Sequence, residues 1–248
     1  MNFSQLGFGF FVLKINGILL ALIFCLAVWY YYQELKKEKL DTDYFAHHFW
    51  RWIIAGLILG RIFAIFLNLD IFSNYGWMSP FAFWAGGINF YGTVLGSIAM
   101  MFYDLKNTEH KPWKWLDLAI PAILVSLTLS DLAEFLTGAV YGTETSLPWG
   151  IQYETFGVET IAPIHPVTIY AFIVHFILLN WVWRYGKQFY RQSGKLTIIT
   201  TMMFFFAEFF LQFFRGDQTT MIFELLRIEQ LFSLLILTGL TIYLRKRS

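Results

Sequence analysis

The fold of this chain is decided by the stretch FWAGGINFYGTVLG, Phe83–Gly96. It lies in an apolar run, from about Phe81 to Tyr103, that contains no Asp, Glu, Lys or Arg. In water each glycine weakens a helix by about 1 kcal/mol relative to alanine. In a membrane, glycines let helices approach closely, or let a helix break where protein surrounds it. We therefore expect this stretch at the centre of a membrane bundle, facing inward, with Asn89 and Tyr91 lining a polar pocket.

The composition is that of a membrane protein. Of the 248 residues, 57% are hydrophobic and 14% are charged, whereas soluble domains are about 25% charged. At about 20 apolar residues per span, the sequence predicts a single membrane domain, residues 1–248. We expect an all-α integral membrane protein, a bundle of seven transmembrane helices. The predicted spans are Gly7–Tyr32, Ile53–Leu69, Phe81–Tyr103, Leu116–Val140, Ile164–Trp183, Leu196–Phe214 and Gln230–Leu244.

Lysine and arginine alternate between the predicted loops. They are concentrated in the first, third and fifth loops and at the C-terminus, and are absent from the second loop, Asp70–Pro80, and the fourth, about residues 141–163. Because cytoplasmic loops are enriched in basic residues, we expect the N-terminus outside and the C-terminus in the cytoplasm. The fourth loop then forms a small external cap between helices 4 and 5. Arg215 and Arg227 are exceptions, since they lie near the sixth loop, on the face that should be poor in basic residues.

Ionisable side chains inside predicted spans are candidates for function, because a charge buried in lipid is costly. Arg61 needs a carboxylate, a phosphate or several carbonyl groups as partners. Asp131 and Glu134, three residues apart, lie on one face of the fourth helix. This pair is open to three interpretations: a structural ion pair with Arg61 or Arg215, a general acid–base pair, or a cation or proton site. Glu208 is expected to anchor helices.

The histidines are few and scattered. His165 precedes Pro166 at the predicted start of the fifth helix, where it is either structural or within reach of a site. The other four histidines show no metal-ligand spacing and the chain has one cysteine, so we predict no metal site. The sequence contains no phosphate-binding glycine loop and no serine nucleophile elbow. We expect no cofactor.

Seven short motifs are distributed along nearly the whole chain. They are Gly60-Arg61-Ile62, GGINFYG (Gly86–Gly92), DLAEFLTGAVYG (Asp131–Gly142), Pro148-Trp149-Gly150, His165-Pro166 with Tyr170, EFFLQFFR (Glu208–Arg215) and EQLFS (Glu229–Ser233). In order and spacing they resemble the motifs of the prolipoprotein diacylglyceryl transferase family, whose members are seven-span bacterial membrane enzymes. The resemblance implies the family's fold.

The resemblance also implies an activity. Family members transfer the diacylglyceryl group of phosphatidylglycerol to the lipobox cysteine thiol of a prolipoprotein, on the outer face of the bacterial cytoplasmic membrane, and release glycerol phosphate. The implied partners are phosphatidylglycerol, a prolipoprotein signal segment and membrane lipids, with no nucleic acid, and a monomer is expected. The implied location is the bacterial cytoplasmic (inner) membrane, as a multi-pass protein.

Carried over motif by motif, the resemblance predicts residues of the site. The catalytic candidates are Tyr91, Asp131, Glu134, His165 and Arg215. The substrate-binding candidates are Asn16, Arg61, Gly87, Asn89, Gly92, Gly138, Gly142 and Gln230.

Some of these positions depart from the family pattern. Tyr91 replaces the family's histidine, Asp131 its signature arginine, Glu134 an asparagine and Asn16 a tyrosine of the first helix. An aspartate repels a phosphate that an arginine would hold, and tyrosine is a weaker base than histidine at neutral pH. The retained residues are Arg61, His165, Arg215, Gln230 and the glycines.

These substitutions leave three functions open. The first is a lipid-group transferase with a rebuilt site, in which Arg61 and Arg215 hold a phosphate and Tyr91, Asp131 or Glu134 supplies acid–base chemistry. The second is a relative that binds a lipid or a lipoprotein signal segment without catalysis, because a fold does not carry its function across such changes. The third is a small transporter, suggested by carboxylates and glycine-broken helices inside the membrane.

Overall fold

Helices dominate the computed structural model of the chain. It describes residues 5–8, 11–67, 69, 76–81, 87–106, 108–138, 140–152, 162–190, 192–216, 221–222 and 226–247. Within these residues the α-helices are α1 (Ile15–Lys37), α2 (Thr42–Leu67), α3 (Phe90–Leu105), α4 (Pro112–Thr137), α5 (Val167–Phe189), α6 (Lys195–Leu211) and α7 (Ile228–Arg247). Two 3-10 helices cover Gly76–Phe81 and Gln212–Phe214, and the short strands are β1 (Gln5–Phe8), β2 (Phe11–Lys14), β3 (Met221–Ile222) and β4 (Leu226–Arg227).

In the described residues, six of these helices are long and apolar enough to cross a membrane. The exception is α3, which has 16 residues. At 1.5 Å per residue it is about 24 Å long, shorter than the bilayer's hydrocarbon core of about 30 Å. The predicted all-helical class with several membrane-span candidates is therefore confirmed, whereas the span predicted over Phe81–Tyr103 is not among the six candidates and stays a prediction.

Two predicted spans begin later than expected. The first helix starts at Ile15 rather than Gly7, because the preceding residues pair as an antiparallel hairpin, β1 with β2. Composition did not reveal this, since a short apolar run fits a strand as well as a helix. The third helix starts at Phe90, after Gly87, whose φ of 83° lies in the left-handed region that a helix does not use. The glycine stretch therefore contains a helix start.

The chain divides into two compact units. The first comprises Met1–Glu34 and Leu116–Ser248, and the second Leu35–Trp115. In the first unit, α4, α5 and α6 enclose a core of Ile120, Leu124, Leu178, Leu179, Val182 and Leu196. Asp117 of α4 fixes the start of α6, because its carboxylate accepts hydrogen bonds from the backbone nitrogens of Gly194 (2.7 Å) and Thr197 (2.8 Å).

Glycines bring α2 and α3 of the second unit into direct backbone contact. They are spaced four residues apart on both helices, at Gly56 and Gly60 and at Gly92 and Gly96. A Cβ on Gly96 would lie 2.6 Å from the carbonyl oxygen of Ala55, and one on Gly92 would lie 2.8 Å from that of Leu59. Small residues at this spacing are a common helix-packing device in membranes. The close approach expected from the glycine stretch is therefore present.

Candidate functional site

Three segments from distant parts of the first unit meet in a loop junction, Tyr141–Thr143, Ile164–Pro166 and Phe214–Gly216. Backbone hydrogen bonds join them: Thr143 N donates to Phe214 O at 2.8 Å, Gly216 N to Tyr141 O at 2.9 Å, and His165 N to Thr143 O at 2.9 Å. Gly142 and Arg215 also form an antiparallel bridge. Three of the predicted site residues, Gly142, His165 and Arg215, are thus brought together.

The loop junction depends on the absence of side chains at two glycines. A Cβ on Gly142 would lie 2.7 Å from the Cβ of His165 and closer still to its carbonyl oxygen. A Cβ on Gly216 would overlap the carbonyl group of Gly142. Gly142 was predicted to bind substrate. Its position shows a packing role, because it lets the His165 and Arg215 segments lie on either side of the segment Tyr141–Thr143.

The predicted external cap, residues 141–163, is ordered around the same junction in its described parts. Glu144 and Ile151 each form a bridge with Ile164, and Thr145 N donates to Pro163 O at 2.8 Å. Gly150 N donates to Leu147 O at 2.9 Å, which closes the turn expected at Pro148-Trp149-Gly150. Residues 153–161 lie outside the described part of the chain.

His165 is held by aromatic residues. Its Nδ1 is 3.2 Å from the hydroxyl of Tyr170, in the first turn of α5, and that hydroxyl accepts a 2.8 Å hydrogen bond from Trp149 Nε1. The Phe214 ring lies 5.1 Å from the His165 ring and 5.8 Å from the Tyr170 ring, centroid to centroid. Because Arg215 follows Phe214 directly, these contacts keep the imidazole beside the arginine's segment.

A polar cluster is buried among α4, α5 and α6. Asp131 Oδ2 lies 2.7 Å from Nδ1 of His175, and His175 Nε2 lies 3.7 Å from Glu208 Oε1. Glu208 Oε2 accepts a hydrogen bond from Gln212 Nε2 at 3.3 Å. His175 is 3% exposed and Asp131 8%, so the cluster is shielded from solvent.

Of the three interpretations of Asp131, this geometry fits a pairing between helices, with a histidine where we looked for an arginine. His175 is not among the residues predicted for the site. A signal for it is present in the sequence, because His175 is an ionisable residue inside the predicted span Ile164–Trp183, as Asp131 is in its own span. Among the described residues no group of three or more His, Cys, Asp or Glu side chains is arranged to hold a metal ion.

Arg61, in the second unit, is bound by backbone carbonyl groups. It is 6% exposed, and its Nη1 donates to Gly87 O at 2.8 Å and its Nε to Pro80 O at 3.4 Å. The sequence suggested a carboxylate, a phosphate or several carbonyl groups as partners of this charge, and the structure shows two carbonyl groups. The guanidinium holds the segment that leads into α3.

Asn89 and its neighbours form the start of α3. The Asn89 side chain caps the helix by accepting from Gly92 N at 3.1 Å, and its backbone nitrogen donates to Gly60 O at 3.0 Å. The side-chain oxygen expected in a polar pocket is thus used in a helix cap. Tyr91 lies in the first turn of the same helix and is half-buried.

The remaining candidates lie in the first unit. Gln230 is 1% exposed; its amide accepts from Arg227 N at 2.9 Å and donates to Phe209 O at 3.1 Å, so it ties α7 to α6. The Arg227 guanidinium donates to the carbonyl oxygen of Arg215, which explains this exception to the charge pattern.

Three further candidates lie at helix ends. Gly138, with φ of 64°, ends α4. Glu134 is half-buried, one turn before the end of α4, and Asn16 lies in the first turn of α1.

The residue types that meet at the loop junction are ones that bind anions in proteins. The loop junction combines an arginine with an imidazole, and both types of side chain donate hydrogen bonds to phosphate oxygens. On α4, Glu134 lies closer than Asp131 to the junction end of the helix, and a carboxylate there can accept a proton. The chain is thus a multi-pass helical membrane protein with an arginine–histidine junction at the ends of α5 and α6.

Comparison with known proteins agrees with this class. The family model for prolipoprotein diacylglyceryl transferase matches residues 4–245. The phosphatidylglycerol–prolipoprotein diacylglyceryl transferase of Ehrlichia ruminantium is 28% identical over 222 residues, 87% of this chain and 84% of the relative. That of Campylobacter lari is 28% identical over 234 residues, which are 87% of this chain and 82% of the relative. That of Tropheryma whipplei is 29% identical over 131 residues, about half of each protein (51% and 48%). The chain belongs to the prolipoprotein diacylglyceryl transferase family.

Proposed function

We propose that this protein transfers the diacylglyceryl group of phosphatidylglycerol to the cysteine thiol of a prolipoprotein signal segment. The observation that carries the proposal is the loop junction: His165, Arg215 and Gly142, retained from three separate family motifs, are joined there by backbone hydrogen bonds. Family membership over residues 4–245 supports the same activity.

The reaction is a substitution at carbon. The thiol sulfur attacks the glycerol carbon that carries the phosphate, a carbon–sulfur bond forms, and the bond from that carbon to the phosphate oxygen breaks. The leaving group is glycerol phosphate, which gains one negative charge, and the thiol proton passes to a base. Catalysis therefore needs a base for the thiol and hydrogen-bond donors for the phosphate.

We assign the donors to the loop junction and the base to α4. The Arg215 guanidinium offers a charged, two-pronged donor for phosphate, and His165 adds a second donor. For the base we favour Glu134 over Asp131, because Glu134 lies one turn nearer the end of α4 that leads to the loop junction. Asn16, Gly138 and Gln230 are proposed to contribute through the ends of their helices. Within the second unit, Tyr91, Arg61, Gly87, Asn89 and Gly92 are proposed to bind lipid at the start of α3.

We further propose that the loop junction lies on the outer side of the bacterial cytoplasmic membrane, in a single seven-span domain. The distribution of lysine and arginine supports this orientation, since the described loops that form the junction carry Arg215 and no lysine.

The test is a transfer assay with the full-length protein in phosphatidylglycerol vesicles and a peptide containing a lipobox cysteine. We expect release of glycerol phosphate and a peptide mass increased by one diacylglyceryl group. Arg215→Ala should reduce turnover at least a hundredfold, by analogy with the loss of one hydrogen-bond donor to a transition state, about 10²–10³. Arg184→Ala is the matched control, because this exposed arginine lies at the far end of α5. Equal activity of Arg215→Ala and wild type would contradict the assignment.

A second candidate function is binding of the lipid or the signal segment without transfer. The pairing of Asp131 with His175 favours it, because the position of the family's phosphate-binding arginine carries a carboxylate held inside the helix bundle. In the same assay this function predicts retention of the peptide by the vesicles with no glycerol phosphate released and no change in peptide mass.

A further inference from the structure

The hydrogen bonds around Tyr170 favour one position for the proton of His165. An indole N–H donates and never accepts, so the oxygen of Tyr170 is the acceptor in its 2.8 Å contact with Trp149 Nε1. The hydroxyl keeps one proton to donate. Among the described residues, the acceptor within reach of that proton is Nδ1 of His165, at 3.2 Å.

An imidazole nitrogen that accepts a hydrogen bond has no proton of its own. In neutral histidine one ring nitrogen is protonated and the other is not, so acceptance at Nδ1 places the proton on Nε2. The ring is also restrained by its contacts with Tyr170 and Phe214. His165 then presents an N–H group at Nε2, and the partner of Nδ1 selects which nitrogen that is.

We infer that Tyr170 is a positioning residue that holds His165 as a hydrogen-bond donor to an anionic phosphate oxygen at the loop junction. This inference rests on the proposed function, and it deepens it by giving His165 one role: it donates to the phosphate and does not act as the base. Trp149 supports Tyr170 by donating to its oxygen, and in this arrangement the hydroxyl donates its proton to the imidazole. The ligand class is a phosphate ester.

The first arm of the test reads the tautomer and needs no activity. Full-length protein carrying ¹⁵N-labelled histidine is studied by NMR at about pH 8, where an ordinary histidine is neutral. The His165 signals are assigned by their loss in His165→Gln. We expect an unprotonated Nδ1 and a protonated Nε2, with Tyr170→Phe producing a mixture of both tautomers. A protonated Nδ1 in wild type, or a tautomer unchanged by Tyr170→Phe, overturns the inference.

Tyr30→Phe is the matched control for the loss of the hydroxyl. Tyr30 also accepts a hydrogen bond from a tryptophan, Trp183 Nε1 at 3.1 Å, but lies on α1. The Tyr30→Phe variant should leave the His165 signals unchanged. The second arm adds glycerol phosphate to the labelled protein. We expect the Nε2 signal to shift in wild type, and an Nε2 signal that does not respond overturns the phosphate-donor role.

The third arm measures transfer. Loss of one hydrogen bond is worth up to about 1.5 kcal/mol, so Tyr170→Phe should lower kcat/KM by roughly tenfold. A glutamine at position 165 carries its N–H near the place of Nε2 and needs no tautomer. His165→Gln should therefore retain more activity than His165→Asn, and adding Tyr170→Phe to His165→Gln should cost little more.

Equal losses in His165→Gln and His165→Asn would identify a base and overturn the inference. Absence of product in wild type would refute the proposed transferase activity, while the first two arms would still decide the tautomer and the ligand.

Discussion

Nδ1 of His175 lies 2.7 Å from Oδ2 of Asp131, so this carboxylate of α4 is paired with an imidazole from the next helix. An unpaired aspartate at this position would bury a negative charge among α4, α5 and α6. His175 supplies the opposite charge when protonated and a hydrogen-bond donor in either state. The carboxylate at position 131 is therefore accommodated by a residue 44 positions away.

The first prediction concerns this pair. Removing one partner of a buried ionic pair costs about 3–5 kcal/mol, because the other partner is left unsatisfied. Asp131→Asn and His175→Gln should each lower the free energy of unfolding by roughly 3 kcal/mol, and the double mutant should lose clearly less than the sum. Unfolding of the purified protein in detergent measures this. His47→Gln is the control, since His47 is exposed and contacts a carbonyl of its own helix; strictly additive losses would contradict the pairing.

Much of the architecture followed from the sequence, because apolar length and glycine spacing act locally. The predicted spans from Leu116 onward agree with α4 to α7 to within a few residues at most ends. The start of α3 was not predicted, because the cap at Asn89 and the left-handed Gly87 depend on where the chain must turn. An apolar run of the same composition is compatible with either outcome.

The candidate site was predicted less completely. Motif order brought out Gly142, His165 and Arg215, and the structure joins their segments. The partners of buried charges were not predictable, since they come from helices far apart in the sequence. Arg61 is bound by the carbonyl groups of Pro80 and Gly87, and composition does not reveal which carbonyl groups a chain leaves unpaired.

The second prediction concerns the packing of α2 on α3. A Cβ on Gly96 would approach the backbone oxygen of Ala55 to 2.6 Å, and backbone atoms cannot rotate away. Gly96→Ala should therefore lower the free energy of unfolding by about 1–3 kcal/mol, the usual cost of overpacking. Gly239→Ala is the matched control, because a Cβ there meets nothing within 4 Å. Thermal unfolding in detergent compares the two, and equal stability of both variants would count against close packing at Gly96.

The third prediction concerns Arg61. Lysine keeps the charge but lacks the planar fork that donates from Nε and Nη1 to two carbonyl groups. Arg61→Lys should cost about 1.5–3 kcal/mol, the worth of a hydrogen bond to a charged group. It should also speed amide hydrogen exchange at Asn89 and Gly92, where α3 begins.

Arg51→Lys is the control for Arg61→Lys. Arg51 lies on the same helix, is half-exposed, and forms a 3.1 Å ion pair with Asp104 that a lysine can replace. It should leave exchange at the start of α3 unchanged. If Arg61→Lys also leaves that exchange unchanged, the guanidinium does not hold the segment that leads into the helix.

The last prediction concerns Gly142, which lies between the His165 and Arg215 segments. In Gly142→Ala the added methyl group would approach the His165 Cβ to 2.7 Å and its carbonyl oxygen more closely, so the segments must separate. The hydrogen bonds from His165 N to Thr143 O and from Gly216 N to Tyr141 O should weaken, and hydrogen exchange at both amides should become faster. Transfer activity should fall at least tenfold, because displacements of about 1 Å at a reacting centre can cost a hundredfold.

Gly150→Ala, in the same cap, is the control. Its added Cβ approaches the side chains of Pro163 and Thr145 to 3.0 Å, and it should have a smaller effect on both measurements. If exchange at His165 and Gly216 is the same in Gly142→Ala and wild type, the glycine is not what keeps the arginine and the histidine segments together.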